Sequence, residues 1–109
     1  MDAFEVADLL AARRAGTELY HEFLRVPALS AGVYELPAGG SDPQDPHHED
    51  EVYVVLAGEA AITVGDERRP VRSGSVVFVA AGVPHRFHDI ASDLAVLVVF
   101  APAETGTAA

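Results

Sequence analysis

Two adjacent histidines, His47 and His48, stand among five carboxylates (Asp42, Asp45, Glu49, Asp50 and Glu51) between Gly39 and Gly58, just ahead of an apolar run. A second stretch, Gly74 to Asp89, brings His85 and His88 after another apolar run. Imidazole and carboxylate are the nitrogen and oxygen donors that hold divalent first-row metals, so the pattern reads as a metal site opening onto a core strand. The chain has no cysteine, which excludes disulfides, thiolate zinc sites and a cysteine nucleophile. Any metal here meets N and O donors alone.

Strand periodicity tests whether these residues can meet. Along an extended segment Asp45 and His47 point to one face and His48 to the other. Glu51 lies four residues past His47, roughly 13 Å along a straight strand, too far for both to reach one ion at about 2.1 Å. The chain must therefore turn between them, and Pro46 with His48-Glu49-Asp50 supplies turn chemistry, leaving Glu51 to open the next strand. Beyond it Glu51, Tyr53 and Val55 share one face, and Val52, Val54 and Leu56 share the other. Both faces are apolar, so something must cover the outside. In the second stretch His85, Phe87 and Asp89 share a face opposite Arg86 and His88, and only His85 is placed to join an interior site. The Gly82-Val83-Pro84 turn would fix where that imidazole sits.

The elements that position these residues follow from the remaining pattern. Asp2 and Glu5 resemble a capping box for a short helix through about Arg14, with Phe4, Ala7, Leu10 and Ala11 on one face and Gly16 as the stop. From Thr17 the segments LYHEFLRV and LSAGVYEL read as strands, followed after Gly39-Gly40 by VYVVLA, AAITV, PVR, SVVFVA, HRFHDI and LAVLVVFAP. Seven or more short strands at such spacing predict an antiparallel sandwich or barrel. At 109 residues, half of them apolar, the chain forms one domain, residues 1–103, with 104–109 as a disordered tail.

Seventeen acidic residues against seven arginines and no lysine give a formal charge of −10, which excludes nucleic acid and anionic membrane surfaces as partners. No apolar run approaches the roughly 20 residues that span a bilayer, and the N-terminus lacks a basic signal region, so the chain reads as cytoplasmic.

The two stretches resemble the paired motifs of the cupin superfamily, small jelly-roll β-barrels that usually carry a metal inside. The first motif of that family runs glycine, five residues, His-x-His, three or four residues, glutamate, six residues, glycine. Gly39, Asp45, His47, Glu51 and Gly58 fall in that frame, with Asp45 in place of the first histidine. Gly74, Ala80, Gly82, His85 and Asp89 match the second motif, Ala80 standing for its proline and Asp89 for its asparagine. Fifteen residues separate Gly58 from Gly74, the short spacing of bacterial single-domain cupins.

The resemblance implies an all-β cupin/jelly-roll barrel with a short N-terminal helix and a metal set of Asp45, His47, Glu51 and His85. Gln44 or water is the rival to Asp45 in the fourth position. One divalent ion per chain (iron, manganese, nickel or zinc) would then have open positions for a ligand. Tyr53 and Phe87 read as pocket wall or core; His21, His48 and His88 as surface; Asp42, Glu49 and Asp50 as solvated turn residues. The function implied is a metal-dependent enzyme, dioxygenase or isomerase in type, acting on a small neutral or enolisable organic molecule. The alternative is a non-catalytic module that binds a metal or small ligand. An epimerase fits less well, since Arg72 and Arg86 are too few to hold a phosphate. The doubly apolar strand from Val52 to Leu56 implies a homodimer.

Overall fold

Three glycines and an aspartate with positive φ, at Gly58, Gly74, Gly82 and Asp89, mark the corners around which the sheet folds. The computed structural model describes residues 1–105; the part of the anticipated tail at 106–109 lies outside the described residues. Among the described residues one helix, α1 (Val6–Ala15), precedes six strands: β1 (Tyr20–Val26), β2 (Leu29–Leu36), β3 (Asp50–Val64), β4 (Glu67–Arg72), β5 (Val76–Val79) and β6 (His85–Ala101). All pairings are antiparallel, in the order β1-β2-β6-β3-β4, with β5 joined to the other part of β3. This is the jelly-roll barrel and short N-terminal helix that the sequence implies.

Fewer strands are present than the punctuation predicts, because β3 and β6 each run through a break that looks like an end in sequence. VYVVLA and AAITV are the two halves of β3, and HRFHDI and LAVLVVFAP those of β6. The register between the two strands shifts at Val55/Ala57, Ala57/Glu59 and Glu59/Ala61, so both strands bend together without ending. Gly58 is the pivot. Its φ is +92°, and a β-carbon there would lie 2.3 Å from the Asp93 carbonyl oxygen, a backbone atom that cannot step aside. On β6 the matching irregularity is Asp89, in the left-handed region at φ +49°, which aspartate tolerates better than most residues.

Period-two burial holds where the ladder is regular. Glu51, Tyr53 and Val55 point inward and alternate with half-buried Val52, Val54 and Leu56. The core gathers Leu36, Tyr53, Ile62, Phe87, Val96 and Phe100 from both sides of the barrel. Asp89 departs from the parity expected of it: the turn at its own backbone sends its carboxylate outward to Arg68 (2.7 Å) and His88 (2.9 Å), and Ile90 takes the inward place.

The helix starts later than the capping box predicts. Glu5 is its N-cap and makes no side-chain cap hydrogen bond, while Phe4 lies before the helix with its ring against Phe23 at 4.9 Å. Leu9, not the Leu10 face, is the buried contact. The rotation follows from Arg13 and Arg14, whose guanidiniums both reach Glu35 on β2 at 2.8 Å.

Candidate metal centre

His85 opens β6 immediately after the Gly82-Val83-Pro84 turn, and its Nδ1 lies 2.8 Å from the Val83 carbonyl oxygen. A carbonyl can only accept, so Nδ1 carries the proton and Nε2 faces the barrel interior. There Nε2 stands 3.0 Å from Oε1 of Glu51, with both side chains 1% exposed. The contact is close but poorly aligned: His85 Nε2 and both Glu51 carboxylate oxygens are buried without a hydrogen-bond partner. Orphaned polar atoms of this kind are rare in protein interiors, and three of them converging on one point is the arrangement that a cation satisfies. Burial acts to lower the pKa of His85, but Glu51 beside it and the Val83 carbonyl outweigh burial and raise it.

His47 arrives from the irregular segment before β3. Its Nδ1 is 3.1 Å from Oε2 of Glu104, and its Nε2 is 3.0 Å from Oε1 of Gln44. The ring packs against Phe100 at 4.7 Å and lies 5.6 Å from the His85 ring. Burial works to lower its pKa; the hydrogen bond to Glu104 and the charges of Glu51 and Glu104 prevail, and the net shift is upward. Both imidazoles thus turn Nδ1 outward to an oxygen acceptor and Nε2 inward toward more acceptors. His47, Glu51 and His85 each offer one ligand atom, all within 4.8 Å of one another.

The fourth expected ligand is not in that group. Asp45 is exposed, and Gln44 is the residue that turns in. The reason is that residues 37–49 pair in no ladder, so strand parity does not govern them, and Pro43 and Pro46 remove two backbone donors that pairing would need. The Gln44 amide is held by Asp42 (Nε2–Oδ2, 3.0 Å) and by the Tyr53 hydroxyl (3.1 Å).

Asp42, expected in a solvated turn, is instead the knot of this segment. Its carboxylate accepts from the Tyr34 hydroxyl (2.6 Å), from the Gln44 backbone N–H (3.2 Å) and from the Phe87 N–H (3.0 Å). With Gly82 N–H donating to the His47 carbonyl (2.7 Å), it stitches the first histidine stretch to the second. Glu49 is likewise 3% exposed, taking a hydrogen bond from Thr105 (2.8 Å), while Asp50 caps the Ala81 N–H (2.9 Å) from the surface. No local pattern distinguishes these carboxylates from turn residues, since each has a partner 31 to 56 positions away.

Of the other histidines, His48 is exposed and His21 is half-buried on β1. His88 is half-buried on the outer side, bonded to Thr63 (2.7 Å) and Asp89. Tyr53 and Phe87 are fully buried, their rings 4.8 Å apart, and belong to the core under the site. The cavity beside the site, about 670 Å³, is walled instead by Tyr20, Tyr34, Val98 and Phe100, with Gln44 and Glu104 at the His47 end. Gly32 makes room for the first of these: a β-carbon there would fall 2.3 Å from the Tyr20 ring.

A bent antiparallel barrel with two histidines and a glutamate converging inside it defines a class of small-molecule and metal-binding domains. The chain belongs to the cupin family, whose domain profile matches residues 32–101. It is 53% identical over 105 residues to an uncharacterised protein of Streptomyces coelicolor, covering 96% of this chain and 100% of that one. Among solved structures it resembles TT1209 from Thermus thermophilus (28% identity, TM-score 0.76, 94% of this chain and 99% of that chain). It also resembles the DMSP lyase DddQ from Ruegeria pomeroyi DSS-3 (32% identity, TM-score 0.68), covering 76% of this chain but 42% of the lyase. No helix among the described residues is long and apolar enough to cross a membrane.

Proposed function

We propose that this cupin holds one divalent ion on His47, Glu51 and His85 and acts as a metal-dependent enzyme on a small organic molecule. The observation that carries the reading is the set of orphaned atoms: both oxygens of Glu51 and Nε2 of His85, buried and facing one another without an aligned hydrogen bond. Gln44, or water, completes the set in preference to Asp45. A bound ion would supply Lewis-acid or oxygen-activating chemistry, with iron, manganese, nickel and zinc all compatible with two imidazoles and a carboxylate.

The chain's own residues supply the rest. The 670 Å³ cavity admits a small molecule, its aromatic wall offers an apolar side, and Gln44 fixes a polar contact at the His47 end. The charged residues lining it, Glu18, Asp45 and Glu104, are all carboxylates, so an anionic substrate would meet repulsion and no arginine. A neutral or enolisable molecule fits this lining better. The likeness to a lyase supports a small-molecule role for the domain and does not carry its reaction over.

A second reading has an observation of its own. Among the described residues, the buried carboxylate on the cavity wall, Glu104, is already engaged by His47, which leaves no independent general base in the buried part of the lining. That favours a non-catalytic module binding a metal or small ligand.

Elemental analysis of purified protein separates the possibilities first. About one divalent ion per chain is expected, lost in His47→Ala and His85→Ala and kept in His48→Ala; equal loss in all three would overturn the site. Ferrous reloading under argon, then oxygen uptake after adding small carbonyl, phenolic or hydroxy-acid compounds, tests the dioxygenase form. Turnover with manganese or nickel and no oxygen uptake points to isomerase chemistry. Tight binding without turnover under every metal returns the binding module.

A further inference from the structure

The segment after β6 does not trail away from the barrel. Ala103 and Glu104 are each 8% exposed. Three contacts pin their backbone to the far edge of the sheet: Ala103 N–H to the Pro27 carbonyl (3.4 Å), Glu104 N–H to Ser30 Oγ (2.8 Å), and Arg25 Nη2 to the Glu104 carbonyl (2.8 Å). Thr105 then ties down Glu49. The tail expected from Glu104 onward is therefore corrected at its first two residues. Their attachment follows from hydrogen bonds to partners 56 to 79 positions earlier, which the small, featureless sequence of the segment does not reveal.

So fixed, the Glu104 carboxylate has one direction to face. It lines the cavity and places Oε2 3.1 Å from Nδ1 of His47. We infer that Glu104 is the positioning residue of the metal centre: its carboxylate accepts the Nδ1 proton of His47, fixes that tautomer and turns Nε2 inward. The inference rests on the metal reading above and goes beyond it, because it brings into the site a residue from outside both histidine stretches. The physical case is the symmetry of the two imidazoles. His85 is oriented by a carbonyl in its own turn, a contact available from two residues away. His47 stands in a segment without ladder pairing, and the acceptor on its Nδ1 comes from the other end of the chain. A carboxylate orients the ring more strongly than a carbonyl, because its charge also raises the basicity of the imidazole. Outer partners of this kind are worth about 10- to 100-fold in metal affinity.

The test compares the wild type with Glu104→Gln, Glu104→Ala and Ser30→Ala, measuring zinc affinity by competition with a chromophoric chelator. The ring tautomer of His47 is read from imidazole ¹⁵N shifts in the metal-free protein above its titration range. Expected are a 10- to 100-fold weaker affinity and a shift of the His47 proton toward Nε2 in Glu104→Ala, about the range such outer partners command, with Glu104→Gln between the two because an amide oxygen still accepts from Nδ1. Ser30→Ala, which loosens the backbone anchor and leaves the carboxylate, should move affinity less than Glu104→Gln. Unchanged affinity and tautomer in Glu104→Ala would overturn the inference while leaving the metal reading intact. Weak wild-type binding, with the Nδ1-protonated tautomer still lost in Glu104→Ala, would overturn the metal reading and keep the orienting role. Should Glu104→Ala fail to fold, Glu104→Gln decides: full wild-type affinity there would mean that the charge does nothing for the ion.

Discussion

Asp42 shows how much of the site depends on a residue that stands outside the ligand set. Its carboxylate takes hydrogen bonds from Tyr34, from Gln44 twice and from the Phe87 backbone, so one side chain sets both the inward turn of Gln44 and the spacing between the two histidine stretches. Burial and the adjacent Asp42 charge both push the Tyr34 hydroxyl far above its ordinary pKa, so it donates as a neutral phenol throughout the physiological range. Asp42→Ala strands a buried hydroxyl and a backbone N–H at once, and a stability loss of about 3 kcal/mol is expected, measured by urea denaturation. Loss of the ordered Gln44 contact should follow, seen as weaker metal binding in the same variant. Glu51 and His85 are legible in sequence because a turn and a regular strand set where each sits, and His47 because its spacing to Glu51 matches the cupin motif. Asp42, Glu49 and Glu104 are not, because each is defined by a partner that only the folded barrel brings near.

Elements were legible in type more than in extent. The interior alternation of β3 from Glu51 to Leu56 holds because a regular ladder enforces it, and it fails at Asp45 because no ladder is there. Glycine at position 58 looks like the end of a strand and is a corner inside one, a distinction that depends on β6 bending alongside. The helix is attached to this sheet through one shared carboxylate. The Arg14 hydrogen bond, set against partial burial and helped by Arg13, holds the Glu35 carboxyl below its ordinary pKa. A carboxyl depressed in the folded state binds fewer protons there than in the unfolded chain. Its contribution to stability is complete above the ordinary carboxylate pKa and is lost as the pH falls through its lower folded value. Glu35→Gln should therefore cost about 1 kcal/mol at neutral pH, with the deficit closing in strong acid, when denaturation midpoints are compared at the two extremes. A deficit equal at both pH values would mean that packing of α1, through Leu9, carries the attachment without the charge.

At the scale of the whole molecule the outer side of the barrel is divided. Helix α1 packs on β1 and β2, while Val76 and Phe78 on β5 are 65% and 60% exposed beside half-buried Val52 and Val54. This is an uncharged apolar strip on a chain of formal charge −10, the kind of surface on which two copies could meet without repulsion. A homodimer through β5 is the expected outcome, with Phe78→Glu sedimenting as a folded monomer; a wild-type monomer at micromolar concentration would refute it. The sheet order has a different consequence. Strand β6, the last of the six to be made, lies between β2 and β3, and its hydrogen bonds close both of their open edges. On a ribosome, no earlier portion of this chain has a finished sheet to join. Until residues beyond 101 clear the exit tunnel, two apolar strands wait with unpaired edges, the state most open to mispairing with a neighbouring nascent chain. Closure of the barrel thus waits for β6, governed by distant pairings and slow for its size. A stop codon before β6 would leave an aggregate, with no smaller barrel to fall back on.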